Sequence, residues 1–259
     1  MITKDGEKNK KISKNHENEV IIDFLNYSDM KIIQRNDYLN FSIDSVLISN
    51  FLTINKGRKN IMDLGTGNGV IPMLLSKRTK AKIVGIEIQD TSVDLACRNI
   101  ILNKLESQVE VVKGDIKNIQ SQFTDQSFDA VVTNPPFFKF TGDKNQLNNL
   151  DQLTYARHEI LINLEDIIRA GSYLLKFRGN FTMVHRADRL IDILELMKKY
   201  KIEPKRIRFC HTTRNKAAKI ILVEGLKGAE AGLVIQPPLY INNDDGSYTE
   251  EVLKMFGKI

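Results

Sequence analysis

Short apolar runs alternate with segments of helical periodicity along most of this chain. Asn60 to Leu64 is followed by Val70 to Lys77, Lys82 to Ile88 by Asp90 to Asn103, and then come Gln108 to Lys113 and Phe128 to Asn134. That alternation is the pattern of a parallel sheet, whose strands run in one direction only if each connection crosses back over a face, usually as a helix. The pattern continues with a helix from about Leu164 to Leu175, a strand near Asn180 to Val184 and a helix from about Leu190 to Tyr200. Two further strands are expected near Arg206 to His211 and Lys219 to Leu226, then an apolar stretch from Gly232 to Ile241 and a short helix around Thr249 to Met255. In the helix Asp90 to Asn103, Val93, Ala96, Cys97 and Ile100 form one apolar stripe, which makes Cys97 a core residue, and Thr91 with Asp94 has capping-box spacing.

The 259 residues carry 38 Lys and Arg against 32 Asp and Glu, a net charge of +6, with 42% apolar residues. That suffices for the core of one large domain and is too apolar for a disordered chain. No run of about 18 apolar residues suggests a membrane span, and the N-terminus lacks the apolar core of a secretory signal, so a cytoplasmic protein is expected. Cys97 and Cys210 are far apart and in no metal-binding spacing, which argues against a disulfide framework or a structural zinc; no metal is expected. Residues 1–19 read as a disordered charged arm and 20–259 as a single domain.

The charge is concentrated. Between Lys198 and Lys219 there are nine basic residues against Glu203 alone, a local +8 on a remainder near −2. One reading is a solvated face around a helix end and two strands. The other is a polyanionic partner such as nucleic acid, because clustered cations gain affinity by releasing condensed counterions. Lys198, Lys199, Lys205, Arg206, Arg208, Arg214 and Lys216 are the candidate contacts.

Three motifs carry chemistry. Asp63-Leu64-Gly65-Thr66-Gly67-Asn68-Gly69 ends the first core strand and opens a helix. Its third glycine lies four residues after the first, where a dinucleotide fingerprint has five, and an acidic residue leads the turn; this suits a ligand with an amino-acid moiety and no pyrophosphate. Glu87, at the tip of the next strand, can accept hydrogen bonds from ribose hydroxyls, and Asp115, after the third, from an adenine amino group. With Ile88 and Ile116 beside them, these residues imply a nucleoside cofactor carrying a cationic amino acid, S-adenosylmethionine. The third motif, Asn134-Pro135-Pro136-Phe137, ends the fourth strand. An Asn carbonyl and the Pro135 backbone carbonyl can each accept one N–H of an exocyclic amine, aiming its lone pair at a methyl group, which makes Asn134 a neighbour of the cofactor as well as of the substrate. Pro135 and Pro136 hold the backbone in that shape, and Phe137 offers a face for an extruded base. The polar segment from Lys139 to about Leu153 is long for a loop without periodicity, as functional or disordered loops are.

DLGTGNG, GIE, KGD and NPPF in this order resemble the class I, Rossmann-like S-adenosylmethionine-dependent methyltransferases of the amino-methylating type. Arg35 with Phe41-Ser42-Ile43-Asp44-Ser45, Ala156-Arg157-His158-Glu159 and Tyr248-Thr249-Glu250 narrow the resemblance, over roughly residues 20 to 258, to the bacterial tRNA (adenine-37-N6)-methyltransferases. The resemblance implies a doubly wound α/β fold with a mostly parallel seven-stranded sheet and an antiparallel edge strand, and transfer of a methyl group to N6 of adenine 37 in a tRNA anticodon loop. It implies that Asp44 meets the cofactor's ammonium and that Arg157 and His158 order the preceding loop or touch the substrate. His211 is expected to be structural or RNA-facing. Other amino-methyltransferases share the motif: rRNA guanine-N2, DNA adenine and release-factor glutamine enzymes. With the core expected to start near residue 20, no room is expected for the recognition domain of the DNA enzymes or the helical N-terminal domain of the glutamine enzymes. A noncatalytic RNA-binding module is disfavoured because Asp63, Glu87, Asp115 and Asn134 are all present. Which tRNA is modified and whether one protomer suffices stay open.

Overall fold

A computed structural model describes residues 16–25, 29–37, 42–137 and 162–257. Most of the charged arm, the segment after Phe137, and Arg157 and His158 lie outside the described residues.

In chain order the elements are β1 (Glu19–Asp23), β2 (Lys31–Arg35), α1 (Ile43–Phe51), β3 (Asn60–Leu64), α2 (Val70–Ser76), β4 (Lys82–Glu87), α3 (Asp90–Leu102) and β5 (Val109–Lys113). A 3-10 helix (Ile116–Ser121) leads to β6 (Phe128–Thr133). Then come α4 (Leu164–Leu174), β7 (Leu175–Arg186), a 3-10 turn (Ala187–Arg189), α5 (Leu190–Lys199), β8 (Ile202–His211), β9 (Ala218–Lys227), β10 (Val234–Ile235), β11 (Leu239–Tyr240) and α6 (Glu250–Met255). The main sheet runs β10-β8-β9-β7-β6-β3-β4-β5, with β11 also on β8. Strands β5, β4, β3, β6 and β7 are parallel neighbours.

The sheet departs from the expected one at one side. Seven long strands are present, but two short ones, β10 and β11, extend it, and the antiparallel strand is not at the edge. β9 pairs antiparallel with both β7 and β8 and lies between them. The short turn joining β8 to β9 forces that pair to be antiparallel, and β9 then fills the place beside β7 and pushes β8 outward.

Each face of the sheet is covered. Ile61 and Val132 pack with α1, α2, α3 and α6 through Leu47, Leu74, Ile100 and Val252. Met62, Leu64 and Val131 pack with the 3-10 helix, α4 and α5 through Ile119, Ile168 and Met197. The alternation of strand side chains between faces makes both clusters from the same strands.

α3 is rotated relative to its sequence stripe. It buries Ser92, Leu95, Ala96, Asn99 and Ile100, leaving Cys97 half-buried and so not a core residue. Nor does the capping box form: Gln89 is the N-cap, without a side-chain bond, and Asp94 pairs with Arg98. The cause is the β1–β2 hairpin. Asn99 accepts from Ile33 N at 2.7 Å and donates to Ile33 O, while Asn103 accepts from Lys31 N at 2.9 Å and donates to Lys31 O. Two asparagines one helical turn apart thus satisfy alternate backbone groups of β2 as a neighbouring strand would. Arg98 holds β1 by bonding both oxygens of Glu19, which is 3% exposed. Glu19 is therefore the first residue of β1 and not the last of a charged arm.

Candidate active site at the carboxyl edge of the sheet

Because β3 to β7 are parallel, their last residues share one edge, and the residues singled out by motif fall there. Gly65 and Thr66 both donate to Ile86 O at 3.0 Å, closing the turn between β3 and α2. Gly65, Gly67 and Gly69 have φ of 75°, 56° and 85°, a region costly for any side-chain-bearing residue. A Cβ on Gly65 or Gly67 would meet nothing within 4 Å, so these glycines serve the backbone conformation and leave the outer face of the turn open to a ligand.

The acidic residues behave differently from one another. Asp63 is fully buried and neither carboxylate oxygen has a hydrogen-bond partner among the described residues. Burial pushes its carboxyl up to about 7; the nearby Thr66 hydroxyl, which is not within hydrogen-bonding geometry, offsets this in part and the Glu87 charge adds to it. Glu87 is 6% exposed and accepts from Gly67 N at 3.0 Å, Ile88 N at 2.8 Å and Gln89 N at 3.0 Å, so it braces the glycine turn. Asp115 caps the 3-10 helix through Lys117 N at 2.9 Å. Ile88 is an exposed apolar side chain beside Glu87, and Ile116 packs half-buried on the core.

The Asn-Pro-Pro-Phe turn follows β6. Thr133 donates to Leu64 O at 2.9 Å, tying the tips of β6 and β3 together. Asn134 Nδ2 donates to Ser45 Oγ at 3.3 Å, which orients the amide with its nitrogen toward α1, and among the described residues no bond to its oxygen is formed. Asp44, the next residue on α1, receives a hydrogen bond from Ser42 and has no cationic partner among the described residues; burial raises its pKa. Phe137 lies 5.3 Å from the His185 ring. His185, at the end of β7, is 3% exposed and is held neutral, with its pKa pushed down to about 4 chiefly by burial. Its Nδ1 accepts from Arg186 N, which places the proton on Nε2.

Two buried or half-buried carboxylates without cations, Asp63 and Asp44, sit at the same edge as an open glycine turn. A cationic amino-acid group bound there would lower the cost of both, so the residues present fit a ligand of that kind.

The basic segment is divided. Lys198 and Lys199 end α5 and Lys205 lies in the first half of β8, toward the opposite edge of the sheet from Asn134; Lys199 pairs with Glu165 and Lys205 bonds Glu230 O and Ala231 O. Arg206 is bound to Phe51 O and Glu224, and Arg208 forms a bidentate pair with Glu251. Of the segment's basic residues, Arg214 and Lys216 in the β8–β9 turn, with Lys219 at the start of β9, lie at the edge that carries Asn134. His211 Nδ1 donates to Lys216 O at 2.7 Å, a structural bond within that turn.

Three contributors escaped sequence reasoning: Ser45, His185 and Asn99. Asn99 also donates to Asn68 O in the glycine turn at 3.0 Å, linking the hairpin to it. Ser45 stood inside a noted motif, and the other two carried no local signal. Among the described residues no group of His, Cys, Asp or Glu could hold a metal ion, and no helix is long and apolar enough to cross a membrane.

A doubly wound sheet of this order, with a glycine turn after its first strand and Asn-Pro-Pro-Phe after its fourth, defines the class I methyltransferase architecture. A predicted O-methyltransferase from Agrobacterium tumefaciens has the same fold, with a TM-score of 0.66 at 21% identity over 83% of this chain and 96% of that one. Geranyl diphosphate C-methyltransferase from Streptomyces coelicolor, solved with S-adenosyl-L-homocysteine, superposes with a TM-score of 0.53 at 10% identity over 71% of this chain and 76% of that one. The family model of the methyltransferase small domain matches residues 42–200. A tRNA1(Val) (adenine(37)-N6)-methyltransferase from Porphyromonas gingivalis is 31% identical over 76% of this chain and 78% of the relative. The relative of the same name from Shewanella woodyi is 26% identical over 83% and 89%. The chain belongs to the methyltransferase small-domain family and groups there with these bacterial enzymes.

Proposed function

We propose that this enzyme methylates N6 of adenine 37 in a tRNA anticodon loop, with S-adenosylmethionine as donor. The observation that carries the reading is Asn134: its amide nitrogen is occupied by Ser45, so its oxygen is presented at the sheet edge as an acceptor. With the Pro135 carbonyl it accepts the two N–H groups of the target amine and holds the lone pair toward the incoming carbon. Phe137, backed by His185, stacks the extruded base, worth roughly 1 to 3 kcal/mol. S-adenosylmethionine supplies an electrophilic methyl group when bound. Asp44 and Asp63 provide the negative charge for its cationic amino acid, the Gly65–Gly69 backbone its close approach, and Glu87, Ile88, Asp115 and Ile116 the nucleoside contacts. No side-chain base of tuned pKa is required, because the alkylated amine is acidic enough to lose its proton to water. An anticodon loop suits the site because its bases are already partly unstacked. Arg157 and His158 are proposed to approach the substrate from the segment after Phe137.

The experiment is to incubate the protein with labelled donor and, separately, unmodified total tRNA, rRNA, DNA and release factor, then digest and identify the product. N6-methyladenosine in tRNA, mapped to position 37, is expected; label on guanine or glutamine overturns the reading. Asn134→Ala should abolish transfer and leave donor binding largely intact. Surviving turnover in that variant would remove the amine-positioning role.

A further inference from the structure

We propose that the β8–β9 turn, with Arg214, Lys216 and Lys219, is the surface that holds the RNA phosphate backbone, and that the other half of the basic segment takes no part. The inference rests on the RNA reading of the site and says where the strand leaves it.

β8 is ten residues long, so the two ends of the basic segment are about 30 Å apart along the strand direction. β8 runs parallel to β7 and β6, which brings its C-terminal end, the turn and the start of β9 to the edge that carries Asn134. In the order β6-β7-β9-β8 the turn lies two to three strand spacings from Asn134, about 10 to 14 Å, a span that a few nucleotides of single strand cover.

The turn's cations are also the available ones. Arg214, Lys216 and Lys219 are exposed and none is in an ion pair among the described residues. Along the same edge, by contrast, Arg186 and Arg189 are tied to Asp188 and Asp192. The turn is held in advance of binding. His211 Nδ1 bonds Lys216 O across it, and Ile241 N and Asn242 N bond His211 O and Thr212 O from the segment that flanks it. The Arg214 guanidinium lies 5.6 Å from the centre of the Tyr240 ring, whose other neighbour is His211 at 5.5 Å. A rigid mount for mobile cations lowers the ordering cost of each phosphate contact.

The test compares two triple variants that remove equal charge from one strand's two ends: Arg214→Gln with Lys216→Gln and Lys219→Gln, and Lys198→Gln with Lys199→Gln and Lys205→Gln. Binding of unmodified tRNA is measured between about 50 and about 200 mM salt. The turn variant is expected to lose about 0.7 of log–log salt slope per contact, about 2 for three, and to bind about tenfold more weakly at low salt. Its KM for tRNA should rise while kcat at saturation holds, and the other variant should match wild type. Lys or Arg exchanged for each other in the turn should restore the slope. If both variants lose equal slope, or the turn variant loses none while wild type methylates adenine, the turn assignment falls and the site reading stands. If wild type transfers no methyl group to any RNA, the site reading falls and takes the turn with it.

Discussion

Asp63 shows how much a single side chain depends on what surrounds it. As a letter in DLGTGNG it is an acidic residue leading a turn; in the fold it is a buried carboxyl with no hydrogen-bond partner among the described residues, its pKa pushed up to about 7 by burial. A raised carboxyl pKa stabilises the folded chain fully below the ordinary value near 4, and that contribution is lost as pH rises through about 7. A bound cation reverses the preference by favouring the ionised form. Donor affinity should therefore rise about tenfold between about pH 6 and about pH 8, with proton release on binding, and Asp63→Asn should flatten the profile. Titration calorimetry in buffers of different ionisation enthalpy measures both. An affinity independent of pH in the unaltered enzyme would show that Asp63 does not meet the ligand. His185 is the opposite case. Its sequence neighbours say nothing of Phe137, which lies in the turn after another strand, and the pairing exists only because β6 and β7 are adjacent and parallel.

At the scale of elements, the N-terminal hairpin is bound to the rest by asparagine side chains as well as by the burial of Phe24, Met30 and Ile32. Asn99 serves Ile33 on one side and Asn68 of the glycine turn on the other. Asn99→Leu keeps the number and branching of the side-chain heavy atoms and removes every one of those bonds, leaving three backbone groups to find water; a loss of about 2 to 4 kcal/mol in urea unfolding is expected. Amide exchange at Ile33 should accelerate more than at the central strands, because the hairpin can open by itself. Unchanged exchange at Ile33 would mean that the hairpin is held elsewhere. The helix α3 was legible as a helix and its facing was not. Its apolar letters pick Val93 and Cys97, while the buried face is set by two polar residues that meet an edge strand 66 and 72 positions away.

For the whole molecule, the two edges of the sheet have separate duties. The carboxyl edge holds the chemistry. The opposite region is tied by a buried polar network in which Glu224 accepts from Thr53 N, Thr53 Oγ1, Thr182 Oγ1 and Arg206. Glu224→Gln should cost about 3 to 5 kcal/mol of stability, since it leaves the Arg206 charge without its partner. Turnover per folded molecule should be unchanged below the lowered Tm, as active-site titration beside a thermal melt can check; turnover falling in proportion would deny the separation. The sequence by itself determined the architecture, the glycine turn, the acidic strand tips and the Asn-Pro-Pro-Phe turn, because each is a local strand–turn–helix pattern and parallel crossovers carry all such turns to one edge. It could not determine that the antiparallel strand is interior, that Ser45 orients Asn134 from 89 residues away, or that a run of nine cations is cut in two. Those depend on strand order and strand length, which place residues distant in the chain side by side and set the two ends of one basic strand on opposite sides of the protein.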